Sequence, residues 1–328
     1  MTVKAITHAY WVVATPENES PPERQPVNEQ LHNYRLSRAR HMMLKIPAIS
    51  LAQTNLAEAS SAKLLSYQKN LNQCIAEVNQ ALHSDHWHTT RFDHHDVGLM
   101  PGLIEYANRS APGFNLMLAP SPSLAVNCIQ DALVDGVSSG RIIVNIGTEG
   151  IHWSALDFRV MNGKCSIISF EPSTFLNHGP AKLDSDLSQQ IAKGLHGREH
   201  SFYTIFMDIQ RSASECGIFS LVTAKKLHKH HDEITALHEL NIKGDIQNHY
   251  KDTILPPVFM KHAQSKSRLA QYIDNHPGGD TTEINKKKQT LVNHQASYLA
   301  TTHGKEMVTS IHEKRLDLYQ KLQKFITP

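Results

Sequence analysis

Cys216 and Gln210 are the residues whose types and spacing most directly suggest covalent chemistry. Both lie in "DIQRSASECGIFSLVTAKKL" (208–227), where a lone cysteine begins a run with the pattern of a strong amphipathic helix. Backbone N–H groups and the dipole at a helix N-terminus favour a thiolate, so Cys216 is a candidate nucleophile, with Ser214 as the predicted N-cap. The Gln210 amide, in the preceding loop, can donate hydrogen bonds to a developing oxyanion.

A predicted β-hairpin supplies a base and an acid for this nucleophile. The pair Asn162-Gly163 separates two alternating runs in "IHWSALDFRVMNGKCSIISFEP", and Asn-Gly is a strong signal for a two-residue turn. Counting outward from such a turn places Glu171 diagonally beside His152 on one face of the hairpin. A carboxylate that orients an imidazole is part of a Cys–His–acid nucleophilic site. A structural cysteine and an unrelated histidine are the simpler alternative.

The composition indicates a globular protein from a reducing compartment. The chain has 328 residues, of which 40% are hydrophobic and 20% charged, and its formal net charge of +2 is too small to predict nucleic-acid binding. Its four cysteines form no CxxC pair, which argues against a disulfide framework. Since no apolar run approaches the roughly 20 residues of a membrane span, we expect no stable membrane insertion.

The chain is predicted to have four parts and an α/β (α+β) fold. Residues 1–45 include a Pro/Glu/Asn-rich stretch with almost nothing to bury, which predicts disorder. Residues 46–100 are predicted to be a helical flank, and the next helix is predicted to start just after Pro101. Residues 101–230 alternate short β-rich runs with helices, whereas 231–328 are polar, helical and rich in lysine and histidine.

The hairpin and the cysteine segment resemble a known family. "GIHWSALDFRVMNGKCSIISFEPSTF" and "MDIQRSASECGIFSLVTAKKL" are similar to the catalytic segments of the YopJ family of bacterial type III effector acetyltransferases, and the resemblance extends over residues 60–320. It implies a cysteine-protease-like catalytic core, of the clan that includes ubiquitin-like-protein proteases, with a mainly helical regulatory domain from the flanking segments. It also implies that His152 is the general base, Glu171 its orienting acid, Cys216 the nucleophile and Gln210 the oxyanion donor.

The resemblance further implies a reaction and a place of action. The reaction would be acetyl transfer from acetyl-CoA, through a Cys216 thioester, to Ser, Thr or Lys side chains of host signalling proteins such as MAP-kinase kinases. The protein would leave the bacterium through a type III system, with 1–45 as the export segment, and act in the host-cell cytoplasm.

Inositol hexakisphosphate is the activator that the resemblance implies. Such a polyanion needs several convergent basic side chains, although each candidate taken alone is more typical of a solvated surface charge. The candidates are Arg141, Lys261, His262, Lys266, Arg268, Lys286, Lys287, Lys288, Lys314 and Arg315.

Two other functions and a metal site are alternatives to this interpretation. The same Cys–His–acid–Gln set cleaves ubiquitin-like conjugates in related proteases, and a non-catalytic scaffold that binds kinases is the third class. Histidine-rich stretches at 83–95 and 228–231 suggest a metal, but no cysteine accompanies them and no HExxH motif occurs. No metal site is therefore predicted.

Overall fold

A five-stranded sheet forms the centre of the computed structural model, which describes residues 61–84, 86–147, 151–302 and 304–327. Its outer strand pairs are parallel and its two inner pairs are antiparallel. The mixed α/β prediction is confirmed. In order across the sheet, the strands are β1 (Leu116–Ala119), β2 (Ser139–Asn145), β3 (Trp153–Met161), β4 (Lys164–Glu171) and β5 (His200–Phe206).

Helices cover both faces of the sheet, and a separate two-stranded hairpin lies near the carboxyl end of the chain. The hairpin pairs β6 (Leu299–Thr302) with β7 (Lys305–Val308). The helices in the described ranges are α1 (Ser61–Leu82), α2 (Asp93–Ser110), α3 (Pro122–Val134), α4 (His178–Gly194), α5 (Cys216–Lys229), α6 (His231–Ile242), α7 (Lys251–Ile254), α8 (Lys266–Asn275), α9 (Leu291–Ser297) and α10 (Ser310–Ile326).

The β3–β4 hairpin has the predicted turn and register. Asn162 and Gly163 have φ angles of 52° and 81°, and a type I′ turn requires positive φ at both central positions. Met161 pairs with Lys164 directly outside the turn, and the ladder continues without a bulge. The positions of the side chains at the open end of the hairpin therefore follow from the turn.

Helix α5 departs from two predictions. Every residue from Cys216 to Ala224 is buried, because β2 and β3 cover one side of the helix while α2 and α10 cover the other. The predicted amphipathic pattern is therefore wrong for this half of the helix. The predicted N-cap is also wrong. Glu215 occupies the cap position and makes no side-chain cap hydrogen bond, while Ser214 Oγ accepts the Phe92 N–H at 3.0 Å.

Two further helices differ from expectation. Helix α2 begins at Asp93 and contains Pro101 in its interior, so the predicted start after Pro101 is wrong. Proline leaves the carbonyl four residues earlier, that of the partly exposed Val97, without its helical donor. Helix α4 was not predicted, since its start at His178-Gly179-Pro180 has the composition of a turn.

The predicted catalytic and regulatory parts share one hydrophobic core. Helices α1 and α2 pack against α10, and their buried side chains continue into those of α5 and the sheet. Every described residue belongs to one compact unit that spans 47–328, and the boundaries predicted at 100 and 230 stay predictions. The predicted disordered segment, 1–45, lies outside the described residues. Within the described ranges, no helix combines the length and apolarity needed to cross a membrane.

Candidate active site

His152 and Glu171 meet at the open end of the β3–β4 hairpin. His152 directly precedes β3 and Glu171 is the last residue of β4, so the ladder register brings them together. His152 Nε2 lies 2.9 Å from Glu171 Oε2, and the second carboxylate oxygen accepts the Ser173 N–H at 2.9 Å. Because both oxygens have a partner and the side chain is buried, the carboxylate holds the imidazole in one orientation.

Cys216 lies on the other side of the imidazole. It is the first residue of α5, is 3% exposed, and interacts with His152 closely enough to influence the pKa of that residue. Burial lowers the pKa of His152, but the contacts with Cys216 and Glu171 outweigh burial and raise this pKa to about 10. His152 is therefore an imidazolium at neutral pH, and its positive charge stabilises negative charge on the Cys216 sulfur.

Gln210 lines the same cavity as His152. Its Nε2 donates to the Ser212 carbonyl at 2.9 Å, which leaves one amide hydrogen free. Its Oε1 is buried and has no partner among the described residues. The structure thus places His152 beside Glu171 and Cys216, and Gln210 in the cavity that His152 lines.

A cavity of about 350 Å³ opens at this site. Gly179, near the start of α4, lies directly against the ring of His152, and a Cβ there would come within 3.4 Å of the His152 Cβ and Cγ atoms. The lack of a side chain therefore keeps the imidazole accessible. The cavity is lined by Ile151, His152, Ser173, Asn177, Gly179, Pro180, Gln210, Arg211, Ser212 and Ala213.

Residues 210–215, here called the nucleophile turn, are held by Gln264 from the carboxyl-terminal segment. Gln264 Oε1 accepts the Arg211 N–H at 2.6 Å and the Ser212 N–H at 3.0 Å. Gln264 is fully buried and lies in the loop before α8. Its role was missed because a contact across more than 50 residues leaves no local signal in the sequence.

Four of the ten predicted polyanion contacts are buried and have partners. Arg141 pairs with Asp157 at 3.1 Å, and His262 lies 3.0 Å from Ser310 Oγ. Arg268 forms a bidentate ion pair with Asp252, and Arg315 pairs with Asp96 and Glu215. The three arginines are already neutralised by buried carboxylates, and none of the four side chains faces solvent. We therefore do not retain these four as ligand contacts.

The other predicted contacts are at least partly accessible. Lys286, Lys287 and Lys288 are exposed, and Lys261 is half-buried. Lys266 pairs with Glu306 at 2.7 Å, and Lys314 pairs with Asp317 at 2.6 Å.

Lys226, Lys261, Lys287 and Lys314 form what we call the lysine cluster. Burial and the neighbouring Lys261 and Lys314 lower the pKa of Lys226 to about 7. Among the described residues, no carboxylate forms an ion pair with Lys226 or with Lys261. Lys226 was missed by the sequence analysis, although the doublet Lys225-Lys226 in the nucleophile helix was a visible signal.

His294 lies beside the lysine cluster with unsatisfied polar atoms. It is 3% exposed, and neither ring nitrogen has a partner among the described residues. Burial together with Lys261, Lys226 and Lys287 lowers its pKa to about 4. Several basic groups thus converge without matching acids, which is the pattern of an anion site. In the described ranges, no group of three or more His, Cys, Asp or Glu side chains is arranged to hold a metal ion.

Comparison with known proteins identifies the family. The family model described as YopJ Serine/Threonine acetyltransferase matches residues 71–321. The acetyltransferase YopJ of Yersinia pestis is 39% identical over 277 residues, covering 82% of this chain and 95% of that protein. YopJ of Yersinia pseudotuberculosis is 38% identical over 277 residues, which again cover 82% of this chain and 95% of that protein.

Solved structures agree with this assignment. A deletion variant of AvrA, solved with IP6 and CoA, has a TM-score of 0.73 and 33% identity, covering 78% of this chain and 98% of that one. HopZ1a, solved with IP6, has a TM-score of 0.64 and 16% identity, covering 81% and 99%, and shares the fold. The chain is a member of the YopJ family of serine/threonine acetyltransferases.

Proposed function

We propose that this protein transfers acetyl groups from acetyl-CoA, through a thioester on Cys216, to side chains of host signalling proteins. The observation that carries the proposal is the position of His152 between Glu171 and Cys216. MAP-kinase kinases are the proposed acceptor class, with Ser and Thr hydroxyls or Lys amines as the acceptor groups. Export by a type III system and action in the host cytoplasm complete the proposal.

In the first half-reaction, the Cys216 thiolate attacks the thioester carbonyl of acetyl-CoA. The carbon–sulfur bond to CoA breaks, and the CoA thiolate leaves with the proton of the His152 imidazolium. The cavity beside His152 is where the acetyl group would bind. The free amide hydrogen of Gln210 and the backbone N–H at the start of α5 are the proposed donors to the oxyanion.

In the second half-reaction, His152 acts as a general base. It takes the proton of the acceptor hydroxyl while the acceptor oxygen attacks the acetyl-cysteine, and Cys216 leaves as a thiolate. The imidazolium and thiolate of the starting state are restored. Glu171 keeps Nε2 of His152 as a hydrogen-bond donor throughout, so Nδ1 is the nitrogen that faces the reacting atoms.

The lysine cluster is the proposed site of inositol hexakisphosphate. The AvrA structure was solved with IP6, and here two members of the cluster, Lys226 and Lys261, lie beside other lysines with no carboxylate partner among the described residues. A bound polyphosphate would remove the repulsion among Lys226, Lys261 and Lys314 and satisfy the unpartnered nitrogens of His294. Since the unliganded cluster is unfavourable, ligand binding would stabilise the segments that carry it.

Proteolysis of ubiquitin-like conjugates is not favoured as the function of this chain. The family model and the YopJ relatives match most of the chain, and both are described as acetyltransferases. A protease of the clan would use the same catalytic residue types. A scaffold role is disfavoured, because His152, which is paired with Glu171, and Gln210 line one cavity.

Mass spectrometry with isotope-labelled acetyl-CoA tests the proposal. We expect label on an added MAP-kinase kinase in the presence of inositol hexakisphosphate, little label without it, and none with Cys216→Ala. Cys128→Ala is the matched control and should transfer acetyl normally, because Cys128 lies in α3 on the opposite face of the sheet. Absence of transfer under every condition, together with cleavage of a ubiquitin-like fusion, would overturn the proposal.

A further inference from the structure

We propose that Arg315 of α10 is a positioning residue for the acetyl-transfer reaction, because it holds the two residues that lead into the nucleophile. The inference rests on the proposed role of Cys216. Arg315 Nη1 donates to Glu215 Oε1 at 3.0 Å, and Nη2 donates to the Ser214 carbonyl at 2.8 Å. One guanidinium thus binds both the side chain and the backbone of the residues before Cys216.

The same guanidinium also binds helix α2. Its Nε and Nη2 donate to the two carboxylate oxygens of Asp96 at 3.2 and 2.8 Å, in a bidentate ion pair. Tyr319, one turn further along α10, donates its hydroxyl to Asp96 at 2.6 Å. Arg315, Asp96 and Glu215 are all fully buried, so water does not compete for these contacts.

No other permanently charged cation contacts these two acids among the described residues. His312 Nδ1 lies 3.3 Å from Glu215 Oε1, but burial lowers the pKa of His312 to about 4, so this ring is neutral at pH 7. Loss of the Arg315 charge would leave two buried carboxylates without a counter-ion. Loss of these contacts would displace Ser214 and Glu215, which directly precede Cys216.

The other side-chain contacts of Ser214 and Glu215 do not cap the first turn of α5. Glu215 makes no side-chain cap hydrogen bond at the start of α5. Ser214 accepts the Phe92 N–H with its hydroxyl, so it points towards the start of α2 rather than capping α5. Arg315 is therefore the group that binds both Ser214 and Glu215, directly before Cys216, while Gln264 holds the earlier part of the nucleophile turn.

Helix α10 also links this contact to the lysine cluster. Lys314, which belongs to the cluster, directly precedes Arg315 in the chain. A polyanion that binds Lys314 would therefore act on the helix that supports the nucleophile turn. We expect Arg315→Lys to keep the affinity for inositol hexakisphosphate and to lose most of the activation.

The experiment compares Arg315→Lys with Arg159→Lys in the full-length protein with inositol hexakisphosphate. Arg159 is also a buried arginine paired with a carboxylate, Asp157, but it lies seven residues along β3 from His152, about 23 Å away at the rise of a strand. Both variants should lower the Tm, since both disturb a buried ion pair. Three quantities separate positioning from stability: kcat, KM for acetyl-CoA, and the rate at which iodoacetamide alkylates folded Cys216.

For Arg315→Lys, we expect kcat to fall about 100-fold with KM for acetyl-CoA changed less than about threefold, the size of effect that a small misplacement of a reacting group produces. Alkylation of Cys216 should slow about tenfold, because a sulfur displaced from His152 loses its charge partner. Arg159→Lys should keep kcat and alkylation near wild type.

If Arg315→Lys does not fold, Glu215→Gln decides the question. It keeps the shape and one hydrogen-bond acceptor, removes the charge, and should lower kcat about tenfold, since a neutral hydrogen bond is roughly half as strong as a charged one. Wild-type kcat and alkylation in folded Arg315→Lys would overturn the inference, as would equal kcat losses in Arg315→Lys and Arg159→Lys. A wild-type protein that transfers no acetyl would instead refute the proposed function, and the alkylation rates would still test positioning.

Discussion

The two halves of the candidate site are held in different ways. His152 and Glu171 are separated by 19 residues, and a single hairpin turn sets their distance. The turn before Cys216 is instead held by Gln264 and Arg315, which lie 52 to 101 residues away in the chain from the groups they bind. The acid–base pair is thus a local structure of the sheet, whereas the nucleophile depends on the helices packed around it.

The two halves of the site therefore depend on different parts of the fold. A hairpin in the centre of a sheet keeps its geometry whenever the sheet folds. The nucleophile turn keeps its geometry only when α2, α10 and the loop before α8 are docked against it. Regulation through α10 and the loop before α8 would therefore act on Cys216 more directly than on His152, since Arg315 and Gln264 bind the residues that lead into the nucleophile.

The largest effect is expected from the local half of the site. Glu171→Gln should lower kcat about 10³- to 10⁴-fold. The carboxylate accepts hydrogen bonds from His152 Nε2 and from the Ser173 N–H, one on each oxygen. A glutamine amide has only one oxygen, so its NH₂ group would face one of these two donors. Steady-state acetyl transfer measures this, with Glu199→Gln, an exposed carboxylate of the loop before β5, as the control. A loss below tenfold would show that Glu171 does not orient the base.

The distant half should respond to loss of Gln264. Gln264→Ala removes the acceptor of two backbone N–H groups and should lower the free energy of unfolding by about 1–3 kcal/mol, the cost of leaving the buried Ser212 N–H unpaired; the N–H of the exposed Arg211 adds less. We expect kcat to fall by about 10- to 100-fold as the nucleophile turn moves. Gln130→Ala, which removes a hydrogen bond on the opposite face of the sheet, is the control for urea unfolding and turnover. Full kcat in a destabilised Gln264→Ala protein would contradict the account.

The His152 pairing should appear in the pH dependence of stability. The folded-state pKa is raised to about 10, above the roughly 6.5 of an unfolded histidine, so protonated His152 stabilises the fold fully below pH 6.5. This contribution is lost as the pH rises through 10. Urea unfolding at pH 7 and pH 10 should therefore show a larger loss of stability in wild type than in His152→Gln. Equal losses in the two proteins would mean that His152 is not held as an imidazolium.

The smallest effect on stability is expected in the lysine cluster. Lys226→Met should raise the free energy of unfolding of the unliganded protein by up to about 1 kcal/mol, because it removes a like-charge contact. The same change should weaken inositol hexakisphosphate binding about tenfold in calorimetry, through loss of one charge-assisted hydrogen bond. Lys324→Met, an exposed lysine near the end of α10, should alter neither quantity. Unchanged affinity in Lys226→Met would place the polyanion elsewhere.

What the sequence could predict follows the same division. The Asn162-Gly163 turn determines its own register, so the contact between His152 and Glu171 could be predicted from local spacing. The contacts around Cys216 could not be predicted from local spacing. The predicted Ser214 cap and the predicted amphipathic α5 fail because α2 and α10 cover what would otherwise be a solvent-facing side.

The basic residues illustrate the same limit. Arg268 and Arg315 are residues of the type that binds polyanions. Each is nevertheless neutralised by a carboxylate, Arg268 by Asp252, 16 residues away, and Arg315 by Asp96, 219 residues away. Lys226, by contrast, lies in a helix that the hydrophobic pattern of the sequence assigns to the core. Its ammonium group nevertheless lies near other lysines, Lys261 and Lys314. Whether a charge is compensated depends on tertiary packing, which residue spacing does not reveal.

The central claim is that Cys216 carries the acetyl group, and trapping that thioester tests it most directly. Protein mixed with labelled acetyl-CoA and inositol hexakisphosphate is quenched in acid and mapped by mass spectrometry. Cys74, Cys128 and Cys165 serve as internal controls, since burial raises the pKa of each thiol to about 11. The account predicts hydroxylamine-sensitive label on the Cys216 peptide alone. Label absent from Cys216 while acceptor protein still becomes acetylated would contradict it.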